Sequence, residues 1–302
     1  MKNKRRIIQI IATALSNAYV IGFFKGKIYT GNTKIICVPG LNCYSCPGAL
    51  GACPIGALQA VLGGRNRNFS YYIVGIMIFF GVFFGRFVCG FLCPFGLIQD
   101  LLYKIPSPKL RMNPRIDKPL RWFKYVIGLI FVILLPIFLT NNFGMGDPYF
   151  CKLICPVGTL EGGIPLILTN ESLKNAIGFL FNWKMSILIV VILSSIFIYR
   201  PFCKYLCPLG AFYSLFNKVS FYKMNLNKEK CIDCKACERA CKMQVKVTEE
   251  INSLECIRCG DCQKVCPVSA ITMGFEFQKS LQEKEEIVKN KNIFFIGLNL
   301  NF

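Results

Sequence analysis

The sequence predicts an α-helical membrane domain with four transmembrane helices, followed by a small C-terminal α+β domain. Three features carry this reading: four apolar runs in the first two-thirds of the chain, a Cys-Pro motif repeated beside them, and two four-cysteine strings in a polar segment near the end.

The apolar runs cover residues 7–24, 69–85, 122–139 and 185–199. Each is near the lower limit of the roughly 17–25 residues that cross a bilayer. Each has a cationic end: Lys2, Lys4, Arg5 and Arg6 precede the first, Arg86 closes the second, Lys124 opens the third and Arg200 closes the fourth. Four buried core helices of a soluble domain would not all be marked in this way. The first run lacks a small-residue cleavage site and is long for the apolar stretch of a secretory signal, so it reads as a retained anchor. Lys and Arg concentrate in cytoplasmic loops. With the N-terminus inside, the inner loops hold 16 of them and the outer loops 8. This places a multi-pass protein in the cytoplasmic membrane with both termini cytoplasmic.

The 302 residues carry 36 Lys+Arg against 16 Asp+Glu, a net charge of +20. Residues 1–224 hold 24 basic and 5 acidic side chains, and residues 225–302 hold 12 and 11. Such a basic front could serve nucleic acid. Here the cations flank apolar runs and form no hydrophilic face, so the partner is membrane lipid and nucleic acid is excluded. The chain has no histidine, which removes His-ligated haem, Rieske centres and Ser-His-Asp or Cys-His catalysis. The expected division is a membrane domain over 1–224, a small domain over 225–275 and a tail over 276–302 whose role the sequence does not assign.

Eighteen cysteines are present. Eight lie in CIDCKACERAC, from Cys231, and CIRCGDCQKVCP, from Cys256. Both strings are C-x2-C-x2-C-x3-C, the pattern of bacterial two-cluster ferredoxins, in which the fourth Cys of each run ligates the other cluster. One [4Fe-4S] cluster is therefore assigned to Cys231, Cys234, Cys237 and Cys266, and a second to Cys256, Cys259, Cys262 and Cys241. Zinc sites use C-x2-C pairs and not triple runs, and disulfides are disfavoured in a cytosolic segment. The C-terminal domain is thus an α+β two-cluster ferredoxin domain.

The other ten cysteines lie in the membrane domain and form an internal repeat. CGFLCPFG (Cys89, Cys93), CKLICPVG (Cys151, Cys155) and CKYLCPLG (Cys203, Cys207) share C-x3-CP, and ACPIG at Cys53 is a truncated copy. The tails match as well: PIGALQ, PFGLIQ, PVGTLE and PLGAFY. Proline is favoured at the first position of a helix, where its missing N–H costs nothing. The segments after it, such as 54–62 and 94–103, read as re-entrant or interfacial half-helices of one to three turns. Their N-termini would direct the positive end of the dipole at an anionic cluster.

The predicted topology sorts these thiols into two layers. Cys89, Cys93, Cys203 and Cys207 fall inside, enough for one [4Fe-4S]. Cys37, Cys43, Cys46, Cys53, Cys151 and Cys155 fall outside. Repeat symmetry selects Cys46, Cys53, Cys151 and Cys155 for an outer cluster and is preferred. Chain locality selects Cys37, Cys43, Cys46 and Cys53. In either case two thiols are spare; Cys37 and Cys43 can serve as ligands or as a redox pair, and the C-x2-C of Cys43 and Cys46 can act as a dithiol. Asp100 and Glu161, the acids that follow the Cys-Pro motifs, read as solvated helix-surface charges.

Repeated C-x3-CP motifs on a four-span domain, followed by two ferredoxin strings, resemble the NapH/MauN-type membrane polyferredoxins, to which the NosR-like proteins are related. The resemblance spans about residues 5–275. It implies iron–sulfur electron transport at or across the cytoplasmic membrane, between quinol or a cytoplasmic electron carrier and an extracytoplasmic redox protein. NosR-like proteins add an extracytoplasmic flavin domain, so a flavoprotein partner of this chain would be separate. The four Cys-Pro motifs and the outer segment CVPGLNCYSCPGALGACPIG depart from the NapH pattern and suit a cluster wire better than a quinol dehydrogenase. The expected function is an electron-transfer component of an oxidoreductase system with no substrate site of its own. The alternatives are a quinol-linked redox subunit, with quinone among the aromatics near Cys89, and a cluster-based redox regulator. Half-helices of about nine residues at 1.5 Å each would carry ligands up to roughly 13 Å inward, bringing two membrane clusters closer together than the two faces of the roughly 30 Å hydrocarbon core.

Overall fold

A computed structural model describes residues 2–64, 71–141, 144–175 and 177–275. The predicted tail, 276–302, and the outer-loop cations Arg65 and Arg67 lie outside the described residues. The described chain is mostly helical, with one two-stranded antiparallel sheet.

Two helices are long and apolar enough to cross a membrane, Pro114–Phe138 and Phe179–Phe197. The first contains a π-type segment, Gly128–Leu134, just ahead of Pro136. Proline removes one backbone donor, and the wider turns fit around it. Tyr71–Phe84 is apolar but shorter. The apolar run 7–24 is not one helix. Helix Lys2–Ser16 ends, and a short helix, Ile21–Lys25, follows. The Cys-rich segment seats in the break: Leu50 N–H donates to Ser16 O (3.0 Å) and Tyr19 N–H to Gly48 O (3.2 Å). These bonds give the interrupted backbone the partners that a continuous helix would have supplied internally.

The Cys-Pro repeat has one local geometry. A five-residue helix carries the first cysteine, as in Phe87–Phe91, Tyr149–Leu153 and Pro201–Tyr205. A residue before proline is pushed to extended backbone. Cys53, Cys93 and Cys207 obey this, with ψ of 129°, 117° and 113°. The helices Pro54–Leu62, Pro94–Leu102 and Pro208–Leu215 then start with proline in the first turn. The cysteine carbonyl accepts the first helical bond, at 3.0–3.2 Å in all three. Each of these cysteines is therefore a helix N-cap, and Cys93 and Cys207 have their partners Cys89 and Cys203 on the short helix just before.

The ferredoxin unit is closed by strand Tyr222–Leu226 paired with Ile271–Phe275, Met224 lying opposite Met273. This sheet starts three residues before the expected boundary. Asp233 and Arg258 stand in equivalent positions of the two strings, and both adopt positive φ, 47° and 54°. The unit docks on the helical domain through buried polar contacts. Glu255 meets Arg86 (2.7 Å) and Lys124 (2.5 Å). Arg258 donates to Phe84 O, Asn217 O and Ser220 Oγ, each at 2.7 Å. Asn217 in turn donates to Ser253 O and Cys256 O.

Candidate metal centres

The eight ferredoxin cysteines fall into two groups. Cys231, Cys234, Cys237 and Cys266 line one small cavity of about 20 Å³, and Cys241, Cys256, Cys259 and Cys262 line another of the same size. The fourth cysteine of each string thus sits with the other string. Burial first, and then the neighbouring Cys259 and Cys241, push the Cys256 thiol up to about 12. Four thiolates crowded in this way need a cationic centre to be stable.

Cys89, Cys93, Cys203 and Cys207 are all buried and lie within electrostatic reach of one another. Two arginines cross-brace them. Arg86, three residues before Cys89, donates to Cys203 O (3.0 Å). Arg200, three residues before Cys203, donates to Cys89 O (2.5 Å). Both guanidinium groups are fully buried. Gln99 Nε2 donates to Cys203 Sγ at 3.0 Å.

The third group lines a cavity of about 690 Å³ that includes Cys37, Cys43, Cys53, Cys151 and Cys155. Cys43, Cys53, Cys151 and Cys155 lie within mutual electrostatic reach. Cys46 does not line this cavity; its Sγ lies 3.4 Å from Asn17 Oδ1. Cys43, which repeat symmetry leaves over, is among the cysteines that line it. The two cysteines are joined by a turn bond from Cys46 N–H to Cys43 O (3.0 Å). Gln59 Nε2 donates to Cys151 Sγ (3.3 Å), as Gln99 does to Cys203.

The donor sets fit [4Fe-4S] clusters. Each set has four free cysteines. Among the described residues no three Cys, Asp or Glu stand close enough to hold one metal ion. A cubane takes one thiolate at each of its four corners, which the four separate cysteines of each set can supply. The Cys-Pro glycines leave room beside the sulfurs. A Cβ on Gly56 would lie 3.7 Å from Cys151 Sγ, and one on Gly158 would lie 3.6 Å from Cys43 Sγ.

The inner and outer groups meet across one side chain. Tyr213 is fully buried, feels Cys53 as well as Cys89, Cys93 and Cys207, and donates to Pro39 O (3.0 Å). Gly40 packs so tightly on the inner motif that a Cβ there would come within 2.9 Å of Cys93 Cα.

The solvated-surface reading of Asp100 and Glu161 is overturned. Asp100 is paired with Arg200 (2.6 Å) and Arg5, and Glu161 accepts from Cys43 N–H (2.9 Å). Arg86, Arg200, Gln59 and Gln99 were not singled out as site residues from sequence. The shared R-x2-C-x3-CP spacing at Arg86 and Arg200, and the shared glutamine five residues after proline, are the signals that mark them.

Comparison with known proteins gives the same picture. A family model described as a 4Fe-4S binding domain matches residues 51–72, 69–113, 123–164 and 183–229, one Cys-Pro copy in each. A second model with the same description matches residues 249–272. Among curated proteins, the uncharacterized protein MJ0750 of Methanocaldococcus jannaschii is 32% identical over 62% of this chain and 71% of its own length. The uncharacterized protein MJ0749 of the same organism is 32% identical over 53% of each. YccM of Escherichia coli, a protein named for electron transport, is 30% identical over 32% of this chain and 27% of its own. No solved structure matches the chain. With that model running through half of its residues, and with MJ0750 alike over most of its length, the chain belongs to the 4Fe-4S binding domain family.

Proposed function

We propose that the chain is a polyferredoxin of the NapH/MauN type in the cytoplasmic membrane, conducting electrons between a cytoplasmic carrier and an extracytoplasmic acceptor. The order of the cysteine groups carries the reading. Cys234 is exposed, at the free end of the ferredoxin unit. The Cys256 loop rests on the inner motif, where a Cβ on Gly90 would come within 2.5 Å of Ile257 O. Tyr213 then joins the inner group to the outer one. When bound at these four sites, [4Fe-4S] clusters supply one-electron carriers in series.

The assignments follow the cavities. Cys231, Cys234, Cys237 and Cys266 hold the distal cluster, and Cys241, Cys256, Cys259 and Cys262 the proximal one. Cys89, Cys93, Cys203 and Cys207 hold the inner cluster, and Cys43, Cys53, Cys151 and Cys155 the outer one. Cys37 and Cys46 remain over. Arg86 and Arg200 offset the negative charge of the inner site.

The membrane reading with four crossings rests on exposed apolar faces. Ile7, Ile11 and Leu15 on the first helix, Phe79 and Phe83 on the second, Leu129 and Ile133 on the third, and Ile189, Val190 and Leu193 on the fourth are all exposed. Apolar surface of this extent marks an interaction with lipid or a partner. YccM's name adds support for electron transport.

Iron and acid-labile sulfide per chain, with electron paramagnetic resonance of the reduced, anaerobically purified protein, test the proposal. About sixteen irons support four cubanes. About eight, all lost when the ferredoxin cysteines are replaced, would leave only the terminal unit and defeat the wire.

A further inference from the structure

A second cavity, of about 520 Å³, opens where the N-terminal helix, the half-helix Pro94–Leu102 and the ferredoxin unit meet. Its lining includes Arg5, Arg6, Lys104, Lys242 and Lys264, with Asp100 and Asp261. Leaving Lys104 aside, the four cations Arg5, Arg6, Lys242 and Lys264 thus face two carboxylates. Both carboxylates are already engaged, Asp100 by Arg200 and Arg5, and Asp261 by Lys242 (3.4 Å) and Lys264 (3.2 Å). Arg6 is half-buried and has no ion pair among the described residues. Tyr103 and Tyr199 add aromatic walls, and the Tyr199 hydroxyl accepts from Arg5 Nη2 (3.0 Å).

An unbalanced set of cations held in one pocket calls for an anion. The guanidinium of Arg6 and the ammonium groups of Lys242 and Lys264, all lining this pocket, are the donor types that bind a phosphoryl group. The pocket lies at the foot of the first apolar helix, whose Ile7, Ile8 and Ile11 are exposed. Basic pockets at the cytoplasmic ends of membrane helices have the form that takes phospholipid headgroups.

We propose that this cavity is a binding site for a phosphoryl anion, supplied by an anionic lipid headgroup or by free phosphate. Arg6, Lys242 and Lys264 hold it, and it clamps the ferredoxin unit to the N-terminal helix. Asp261 and Arg5, both lining the cavity, also act electrostatically on Cys259, so an occupied site adds negative charge beside the proximal cluster and lowers its potential.

The test uses the full-length, cluster-loaded protein in an uncharged detergent. Thermal unfolding is followed while short-chain phosphatidylglycerol, short-chain phosphatidylcholine or inorganic phosphate is titrated. The Arg6→Gln/Lys242→Gln double variant is compared with Arg115→Gln/Lys118→Gln, which removes the same charge from exposed positions at the start of helix Pro114–Phe138. Iron content and the reduced spectrum establish that each variant is folded. The expected result is saturable stabilisation by phosphatidylglycerol but not by phosphatidylcholine, with half-saturation weakened about tenfold or more in the cavity variant and unchanged in the control variant. Equal stabilisation by inorganic phosphate identifies free phosphate as the ligand; its absence identifies the lipid. The proposal is overturned if neither anion stabilises the protein, or if the control variant loses the effect as fully as the cavity variant.

Discussion

Replacing Gln99 with leucine tests how the protein sets the potential of its inner centre. Gln99 is fully buried, and its Nε2 lies 3.0 Å from Cys203 Sγ. A donor to a cluster sulfur favours the reduced, more negative state. The net worth of such a bond is about 1 kcal/mol, and for one electron a tenfold change in equilibrium is 59 mV, so the loss lowers the potential by about 40 mV. The substitution is clean, because Gln99 Oε1 has no partner and the other Nε2 contact is a 3.5 Å bond within its own helix. Gln59 is the contrast. It donates to Cys151 Sγ at a longer 3.3 Å, but its Oε1 also accepts from Phe150 N–H at 2.9 Å. Gln59→Leu strands that buried donor and costs about 1–3 kcal/mol of stability. The assay is a redox titration of the purified protein followed by electron paramagnetic resonance. Gln99→Leu should shift one midpoint downward with iron content intact. An unchanged set of midpoints, or an upward shift, would refute the account of the glutamine.

Three further outcomes follow from the same geometry. Glu255→Gln leaves Arg86 and Lys124 short of their buried partner and should destabilise the protein by about 3–5 kcal/mol in thermal unfolding. Burial would raise the Glu255 carboxyl, but Arg86 and Lys124 hold it down to about 2. The pair's stabilisation is therefore full above the ordinary Glu value of about 4.3 and fades as pH falls towards 2, which acid unfolding of wild type against Glu255→Gln would read. Cys43→Ser should remove about four irons per chain, whereas Cys46→Ser should leave the iron content unchanged; the reverse pattern would restore the assignment from repeat symmetry. Gly90→Ala forces a Cβ against Ile257 O at 2.5 Å, and should expose the 253–258 segment to proteolysis while the ferredoxin clusters stay bound.

The cysteine spacing made the chemistry legible, because a cubane needs several thiolates at short, fixed intervals and few other sites do. Proline after the second cysteine made the half-helices legible down to Pro54–Leu62. What hydropathy could not convey was which charges are interior. Arg86 and Arg200 look like the ends of membrane runs, yet they lie fully buried with their guanidinium groups braced on the opposite cysteine motif. Asp100 looks like a surface acid because its partners, Arg5 and Arg200, stand 95 and 100 residues away. The break in the first apolar run was hidden for the same reason. It exists because Gly48 and Leu50 supply backbone partners from a distant loop. Cys43 and Cys46 are alike in sequence, and spacing alone does not say that Cys43 is the one lining the cavity.

The seating of the Cys256 loop bears on how this molecule can run. Glu255, Arg258 and Asn217 pin it with buried bonds on both sides of Cys256. An arm fixed in that manner has no swing and no search for its docking partner. If the chain works as proposed, transit between the ferredoxin unit and the helices should then be indifferent to solvent viscosity, and the diffusive event is the encounter with a mobile carrier near the exposed Cys234.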